Sequence, residues 1–268
     1  MLHEILDRVP PHEAGHAFRR GRSIAMFLSP HAGKRIVLRI DLRDFFPSIR
    51  SSRIQALFRT IGYPETVARV LTGLCTNCVP DDLFRGEMDA ETQQQTRWLY
   101  RSPHLPQGAP TSPAVAHLCA YRLDCRLSRL ARRVGVDYTR YADDLVFSGG
   151  QELSRSERRF RILVLAIVLD EGFAIRNRKT RVMRSGGRQQ VAGVILNAHC
   201  NIPRYEYDRL KALLYNCIRY SPESQNRTGH PMFREQLRGR IVYLSMVNPS
   251  RARRLRQLFD RIRWKNGE

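Results

Sequence analysis

A chain of 268 residues, 42% hydrophobic and 26% charged, is long enough to bury a core and ordinary in balance for a globular protein. Its charge is not ordinary, because 46 Lys and Arg against 25 Asp and Glu leave a net of +21. No apolar run approaches the ~20 residues of a membrane-spanning helix, so that class is excluded and a polyanionic partner is favoured, nucleic acid ahead of an anionic membrane surface. Residues 1–150 carry 21 basic and 15 acidic side chains, and residues 151–268 carry 25 and 10. A carboxylate-bearing region followed by a polyanion-gripping region fits that asymmetry. A genomic preference for Arg over Lys explains which base is used, but not its excess over acid. The six Cys lack the density of a disulfide scaffold, Cys75-Thr-Asn-Cys78 has no second close pair for zinc, and no signal peptide is visible. Reduced cysteines in a cytoplasmic protein are expected.

In chain order, Leu2, Ile5 and Leu6 predict a short helix ended by Pro10-Pro11. The basic stretch Ala17 to Ile24 reads as a loop suited to phosphate. Alternation over Arg35–Asp41 predicts a strand with Asp41 at its end and Pro47 as the breaker beyond it. Asp44 is either a second cation ligand or, as the plainer and favoured reading, a cap or turn residue. Two helices are expected with apolar faces Ile54, Leu57, Phe58, Ile61 and Val67, Val70, Leu71, Leu74. Residues 79–104 read as an irregular insertion, with Asp81-Asp82 a solvated turn ahead of the Gln93–Gln95 run. Leu105-Pro-Gln-Gly-Ala-Pro-Thr-Ser-Pro113 is a shaped loop, with Ser112-Pro113 as cap and first residue of one helix running from Ala114 to Arg133. Helix N-termini and exposed loop amides suit anions.

Tyr138-Thr-Arg-Tyr-Ala-Asp-Asp-Leu-Val-Phe147 predicts a hairpin with Asp143 and Asp144 at its tip. A helix over Glu157–Glu171 follows, then Gly172–Thr180 and a hairpin through Ser185-Gly-Gly187 into a strand over Gln189–Leu196. The rest is helical, near 205–220, 232–247 and 250–264. The last helix is basic, and Arg251, Arg253, Arg254 and Arg256 lie on a face that either tracks a phosphate backbone or is simply solvated.

An Asp-Asp pair alone is a common solvated turn. Nucleotidyl transfer, however, needs two divalent cations ~3.5–4 Å apart held by carboxylates, and the hairpin together with the Asp41 strand supplies the oxygens. The chain resembles a bacterial reverse transcriptase of the retron kind, which makes a short DNA from a structured noncoding RNA. Asp41-Leu-Arg-Asp-Phe-Phe-Pro-Ser-Ile49 resembles its first palm motif, Leu105–Pro113 the second and Tyr141-Ala-Asp-Asp144 the third. Gly172–Thr180 is similar to the motif carrying a lysine near the triphosphate, and Gln190–Asn197 to the primer-grip hairpin. The retron Asn-Ala-x-x-His element stands here as Phe27-Leu-Ser-Pro-His31, and Val-Thr-Gly as Val191-Ala-Gly193.

The resemblance implies an α+β right-hand polymerase with a ferredoxin-like palm, truncated fingers and a helical thumb. Residues 1–34 would be a remnant of the fingers, and the usual N-terminal fingers strands are not visible. Residues 35–197 would form the palm, with a helical and irregular fingers-side insertion over about 50–104, and residues 198–268 the basic thumb. It implies an RNA-directed DNA polymerase using two Mg²⁺ ions, with Mn²⁺ as an alternative, held by Asp41, Asp143 and Asp144 as catalytic carboxylates. Asp41 and Asp143 would bridge the metals, with Asp144 a closer or secondary ligand. Phe46 would be the aromatic gate against the ribose 2′-hydroxyl, Gln107 would contact nucleotide or template, and Lys179 would neutralise triphosphate or protonate pyrophosphate. The implied partners are template and primer RNA, the DNA product, a noncoding RNA and an effector protein, in antiphage defence and without a membrane. Two other readings stay open: another defence or abortive-infection reverse transcriptase, and an RNA-binding scaffold impaired in catalysis.

Overall fold

The computed structural model describes residues 1–80, 83 and 97–264. The expected Asp81-Asp82 turn and the Gln93–Gln95 run lie outside the described residues. The chain divides into two compact units, Met1–Arg22 with Ile36–Val182 and Ser23–Arg35 with Met183–Glu268. The divide after the sheet therefore falls at Val182, ahead of the expected 197, and residues 23–35 group with the C-terminal helices. Hydrogen bonds explain the grouping: Gly33 N donates to Leu196 O at 2.8 Å and Gln189 Nε2 to Lys34 O at 3.0 Å. Helix α1 (Ile24–Leu28), capped by the Ser23 hydroxyl accepting from Met26 N, buries Phe27 and Leu28. It was not foreseen in the basic stretch, whereas the helix expected near Leu6 is only a 3-10 turn over Leu6–Arg8.

The first unit is built on β1 (Ile36–Arg43). Strand alternation sends Ile36, Leu38, Ile40 and Leu42 into the core, each at most 1% exposed, and Arg39, Asp41 and Arg43 to the opposite face. β1 runs two residues past Asp41, so this aspartate lies within the strand, not at its end. The strand stops at Asp44, whose left-handed backbone (φ 48°, ψ 45°) leads into α2 (Phe45–Ser48). Pro47 therefore sits inside that short helix and does not itself break the strand. Helices α3 (Ser51–Thr60), α4 (Glu65–Cys75), α5 (Ser112–Cys119) and α6 (Tyr121–Arg133) precede the hairpin of β2 (Asp137–Tyr141) and β3 (Asp144–Gly149). After α7 (Gln151–Asp170) come the short strands β4 (Ala174–Ile175) and β5 (Arg181–Arg184). The five-stranded sheet has the order β2-β3-β1-β4, with β5 also pairing β1, and its β1–β3, β1–β4 and β2–β3 pairings are antiparallel. α6 packs on α7 and β2, and α7 packs on β1, β3 and β4. Phe147 stacks on Tyr138 at 4.7 Å and meets Phe160 of α7 edge-on at 5.2 Å.

Two helices depart from expectation. The single helix expected over 114–133 is broken at Ala120, because Arg53 Nη2 donates to Cys119 O at 2.7 Å and takes that carbonyl from the helical ladder. α5 also begins at Ser112, with Thr111 as its cap. α4 buries Ala68, Thr72 and Cys75, leaving the expected core residues Val67, Val70 and Leu74 exposed by 40%, 64% and 72%. Small side chains on the inner face let α4 lie close to α3, against which it packs.

The backbone of residues 14–16 borders β2 through Arg140, with Arg140 N donating to Ala14 O (2.7 Å) and His16 N to Arg140 O (2.8 Å). A side chain at Gly15 would place its Cβ 2.7 Å from His117 Nδ1. Gly15→Ala should therefore lower stability by about 1–3 kcal/mol through overpacking, visible as a fall in Tm; an unchanged Tm would show that His117 can move aside.

In the second unit, β6 (Gln190–Val191) and β7 (Val194–Ile195) form a hairpin of their own around Ala192 and Gly193, at φ 47° and 82°. Two successive positive φ values are what such a two-residue turn requires, so the single strand expected over Gln189–Leu196 is folded back into a hairpin, as the likeness of Gln190–Asn197 implied. The helices α8 (Arg204–Arg219), α9 (Pro222–Gln225), α10 (Phe233–Val247) and α11 (Pro249–Phe259) follow. Leu210, Leu214, Leu237, Ile241, Leu244 and Leu255 form their core, and α1 packs on α10. Among the described residues no helix is long and apolar enough to cross a membrane.

Candidate active site

The β2–β3 hairpin turns through Ala142 and Asp143, with Ala142 in the left-handed region at φ 53°. That conformation costs a residue with a Cβ on the order of 1–2 kcal/mol, and a buried network beneath the turn offsets it. Arg140, 1% exposed, donates from Nη1 to Ala142 O at 3.0 Å. Its Nε and Nη2 donate to Asp124 Oδ1 (2.8 Å) and Oδ2 (2.6 Å), and Tyr138 OH donates to the same Oδ1 at 2.8 Å. Arg140 Nη2 also meets His117 Nδ1 at 3.2 Å. A guanidinium only donates, so His117 Nδ1 accepts and its Nε2–H donates to Ala17 O at 2.6 Å. Burial first, then the Arg140 charge, lowers the His117 pKa to about 4 and keeps the ring neutral.

On the opposite face of the sheet, Asp41 and Asp144 are direct cross-strand partners. Like charges in that position repel, and three basic side chains answer them. Arg39, diagonal to Asp144, donates from Nε to Oδ1 and from Nη2 to Oδ2, both at 2.8 Å. Burial would weaken the Arg39 charge, but the bonds to Asp144 and the nearby Asp41 and Asp143 carboxylates outweigh it and push its pKa up. Lys179 Nζ lies 3.4 Å from Asp41 Oδ2, and Arg176 Nε 3.8 Å from Oδ1. Asp41, 2% exposed, keeps Oδ1 buried without a hydrogen bond. Asp143 is tied by its own carbonyl, which accepts from Leu42 N at 2.8 Å. Burial, with Asp144 and Asp41 nearby, raises the Asp143 pKa against its own amide and Lys179.

The three expected carboxylates are thus neighbours, but they are not equivalent. Asp41 and Asp143 carry charge that is incompletely answered, whereas Asp144 has both oxygens engaged by one guanidinium. Among the described residues no three His, Cys, Asp or Glu side chains are arranged to hold a metal ion. Asp44 occupies a cap position without a capping bond; its oxygens pair with Arg176 Nη2 (3.0 Å) and Arg43 Nε (3.2 Å). Phe46 is half-buried with its ring edge-on to Phe45 at 5.5 Å. Gln107 is exposed, just before Gly108 at φ 101°. A cavity of 790 Å³ opens beside Asp44, between Arg43, Arg50, Trp98, Tyr100 and Phe173.

In the second unit, Arg251 is half-buried, with Nη1 3.3 Å from Asn201 Oδ1 and its guanidinium 4.9 Å from the Tyr207 ring centre. Arg253, Arg254 and Arg256 are exposed, and Arg256 joins Arg234 and Arg238 around a cavity of 410 Å³.

Arg39, Arg176, Arg140 and Asp124 were not singled out from the sequence. For Arg39 a signal existed: two residues from Asp41 on a strand means the same face. Asp124 stands in the buried helical series Ala120, Asp124, Leu127, Ala131, where an acid needs a partner. Nothing in the spacing marks Arg176.

The family model described as reverse transcriptase (RNA-dependent DNA polymerase) matches residues 2–220. The chain is 40% identical over 259 residues to the retron Mx65 reverse transcriptase of Myxococcus xanthus, covering 95% of this chain and 56% of that protein. It is 35% identical over 269 residues to the retron Mx162 reverse transcriptase of the same organism, covering 94% and 53%. It is 28% identical over 269 residues to the retron Ec86 reverse transcriptase of Escherichia coli, covering 100% and 73%. The chain thus spans about half the length of the two Myxococcus relatives.

Proposed function

We propose, from the premise that this chain belongs to the reverse transcriptase (RNA-dependent DNA polymerase) family, that it is an RNA-directed DNA polymerase of the retron type. Its template would be a structured noncoding RNA, its product a DNA copy, and antiphage defence the setting the family likeness suggests. We read the first unit as the palm, with α3 and α4 on its fingers side, and the helices of the second unit as the thumb.

The observation that carries the reading is the pairing of Asp41 with Asp144 across β1 and β3, next to Asp143 in the turn, with Asp41 Oδ1 buried and unbonded. A hard oxygen that is buried with no hydrogen bond fits a divalent cation. Mg²⁺, or Mn²⁺ in its place, would activate the primer 3′-hydroxyl and neutralise the triphosphate. The chain's own residues then have separate tasks. Asp41 and Asp143 hold the ions. Lys179, 3.4 Å from Asp41, brings a proton-bearing cation to the phosphates, and a lysine gives up a proton more readily than an arginine. Gln107 and the amides around Gly108 contact the nucleotide or template. The exposed Arg253, Arg254 and Arg256 grip backbone phosphates.

Phe46 is assigned to exclude ribonucleotides. Phe46→Ala should narrow the preference for deoxy- over ribonucleotides on the order of 10- to 100-fold, measured as a ratio of kcat/KM values. A ratio that stays put would remove Phe46 from the gate role. Primer extension by the purified protein with Mg²⁺ and deoxynucleotides tests the activity. Sequencing the DNA and its 5′ linkage tests the retron assignment, since priming from an RNA 2′-hydroxyl leaves a branched product. One observation favours the scaffold reading, namely the engagement of Asp144 by Arg39; RNA binding without any extension would be its result.

A further inference from the structure

We infer that Arg39 is a positioning residue that controls whether Asp144 can serve the cation site, holding both its oxygens away until that ion pair opens. The inference rests on the polymerase reading of this site.

The geometry separates two kinds of ion pair on one sheet face. Lys179 and Arg176 stand off Asp41 at 3.4 and 3.8 Å, and Asp41 Oδ1 has no hydrogen bond. Arg39 instead engages Asp144 by a fork, with two contacts of 2.8 Å. Bidentate guanidinium–carboxylate pairs are the stronger and more directional kind. An entering cation therefore meets Asp41 Oδ1 with no hydrogen bond to break, and meets Asp144 only by breaking two. The Arg39 and Asp144 side chains are 29% and 15% exposed, so water reaches the pair and it can open without disturbing the core. The bland alternative is that Arg39 merely offsets the repulsion between Asp41 and Asp144. Both roles need a positive charge, but only the first needs the fork.

That difference sets the test. Mn²⁺ binding to the full chain, followed by electron paramagnetic resonance, reads the site without requiring turnover, and Tm reports folding. Arg39→Gln should bind Mn²⁺ roughly fivefold tighter, because Asp144 becomes available as a ligand, a change equivalent to ~1 kcal/mol. Arg39→Lys, which keeps the charge but loses the fork, should show part of that gain. Adding Asp144→Asn to Arg39→Gln should abolish it. Unchanged or weaker binding in both Arg39 variants, or a gain that survives in the double variant, would overturn the proposal. Wild-type protein that is folded yet binds no Mn²⁺ would instead overturn the two-metal reading on which it rests.

Discussion

Asp143→Asn and Asp41→Asn should each lower DNA synthesis on the order of 10³-fold or more while leaving the protein folded. An amide oxygen carries no net charge and cannot replace a carboxylate toward a hard cation, and the neighbouring Asp144 has both oxygens engaged by Arg39. Stability should respond with the opposite sign. Burial and the neighbouring Asp144 and Asp41 raise the Asp143 pKa above its ordinary value. A carboxyl that holds its proton more tightly when folded favours folding below its unfolded pKa, and that contribution is lost as pH rises through the folded value. At neutral pH the ionised Asp143 is therefore a liability, and Asp143→Asn should melt at the same temperature as wild type or higher. The difference should vanish in acid, where wild-type Asp143 is itself neutral. A variant that loses activity only because Tm falls would contradict this account.

Arg140→Met should be the most destabilising of these substitutions. It leaves Asp124, fully buried, without its guanidinium, and breaking a buried pair by removing one member costs about 3–5 kcal/mol. For a chain of this size that is a fall in Tm of ~6–20 °C. The double variant Arg140→Met with Asp124→Leu should recover most of the loss, since apolar replacement of a whole buried pair is often neutral. It should not recover activity to the same degree, because Ala142 O, at the turn that presents Asp143, remains without its Arg140 donor. Thermal melts and primer extension on the same three proteins separate the two effects. A single variant with wild-type Tm would show that the pair contributes nothing to holding the hairpin.

Much of this site was legible in the sequence, for a physical reason. Local alternation around Asp41 and the two short strands flanking Asp143 are properties of contiguous residues. Both strands form where expected, and their antiparallel pairing through β3 sets Asp41 opposite Asp144. What was not legible depends on distant partners. The break at Ala120 comes from Arg53, remote in sequence, and no residue within 114–133 signals it. The inner face of α4 was misjudged because apolar spacing alone favours the larger side chains, whereas packing against α3 selects Ala68 and Thr72. Within 189–196 the local pattern reads as one strand and only the family likeness of Gln190–Asn197 implied a hairpin, because Ala192 adopts a positive φ that its side chain does not advertise. Within the candidate site, the carboxylates Asp41, Asp143 and Asp144 were singled out from the sequence, but the basic partners Arg39 and Arg176 were not.

The most direct measurement is extension of a primer on an RNA template by the purified wild-type protein with Mg²⁺ and the four deoxynucleotides, beside Asp143→Asn. The account predicts a ribonuclease-resistant DNA product from the wild type and none from the variant. A folded wild-type protein that binds RNA and Mn²⁺ yet leaves every primer unextended, or an Asp143→Asn protein that extends as well as wild type, would contradict it.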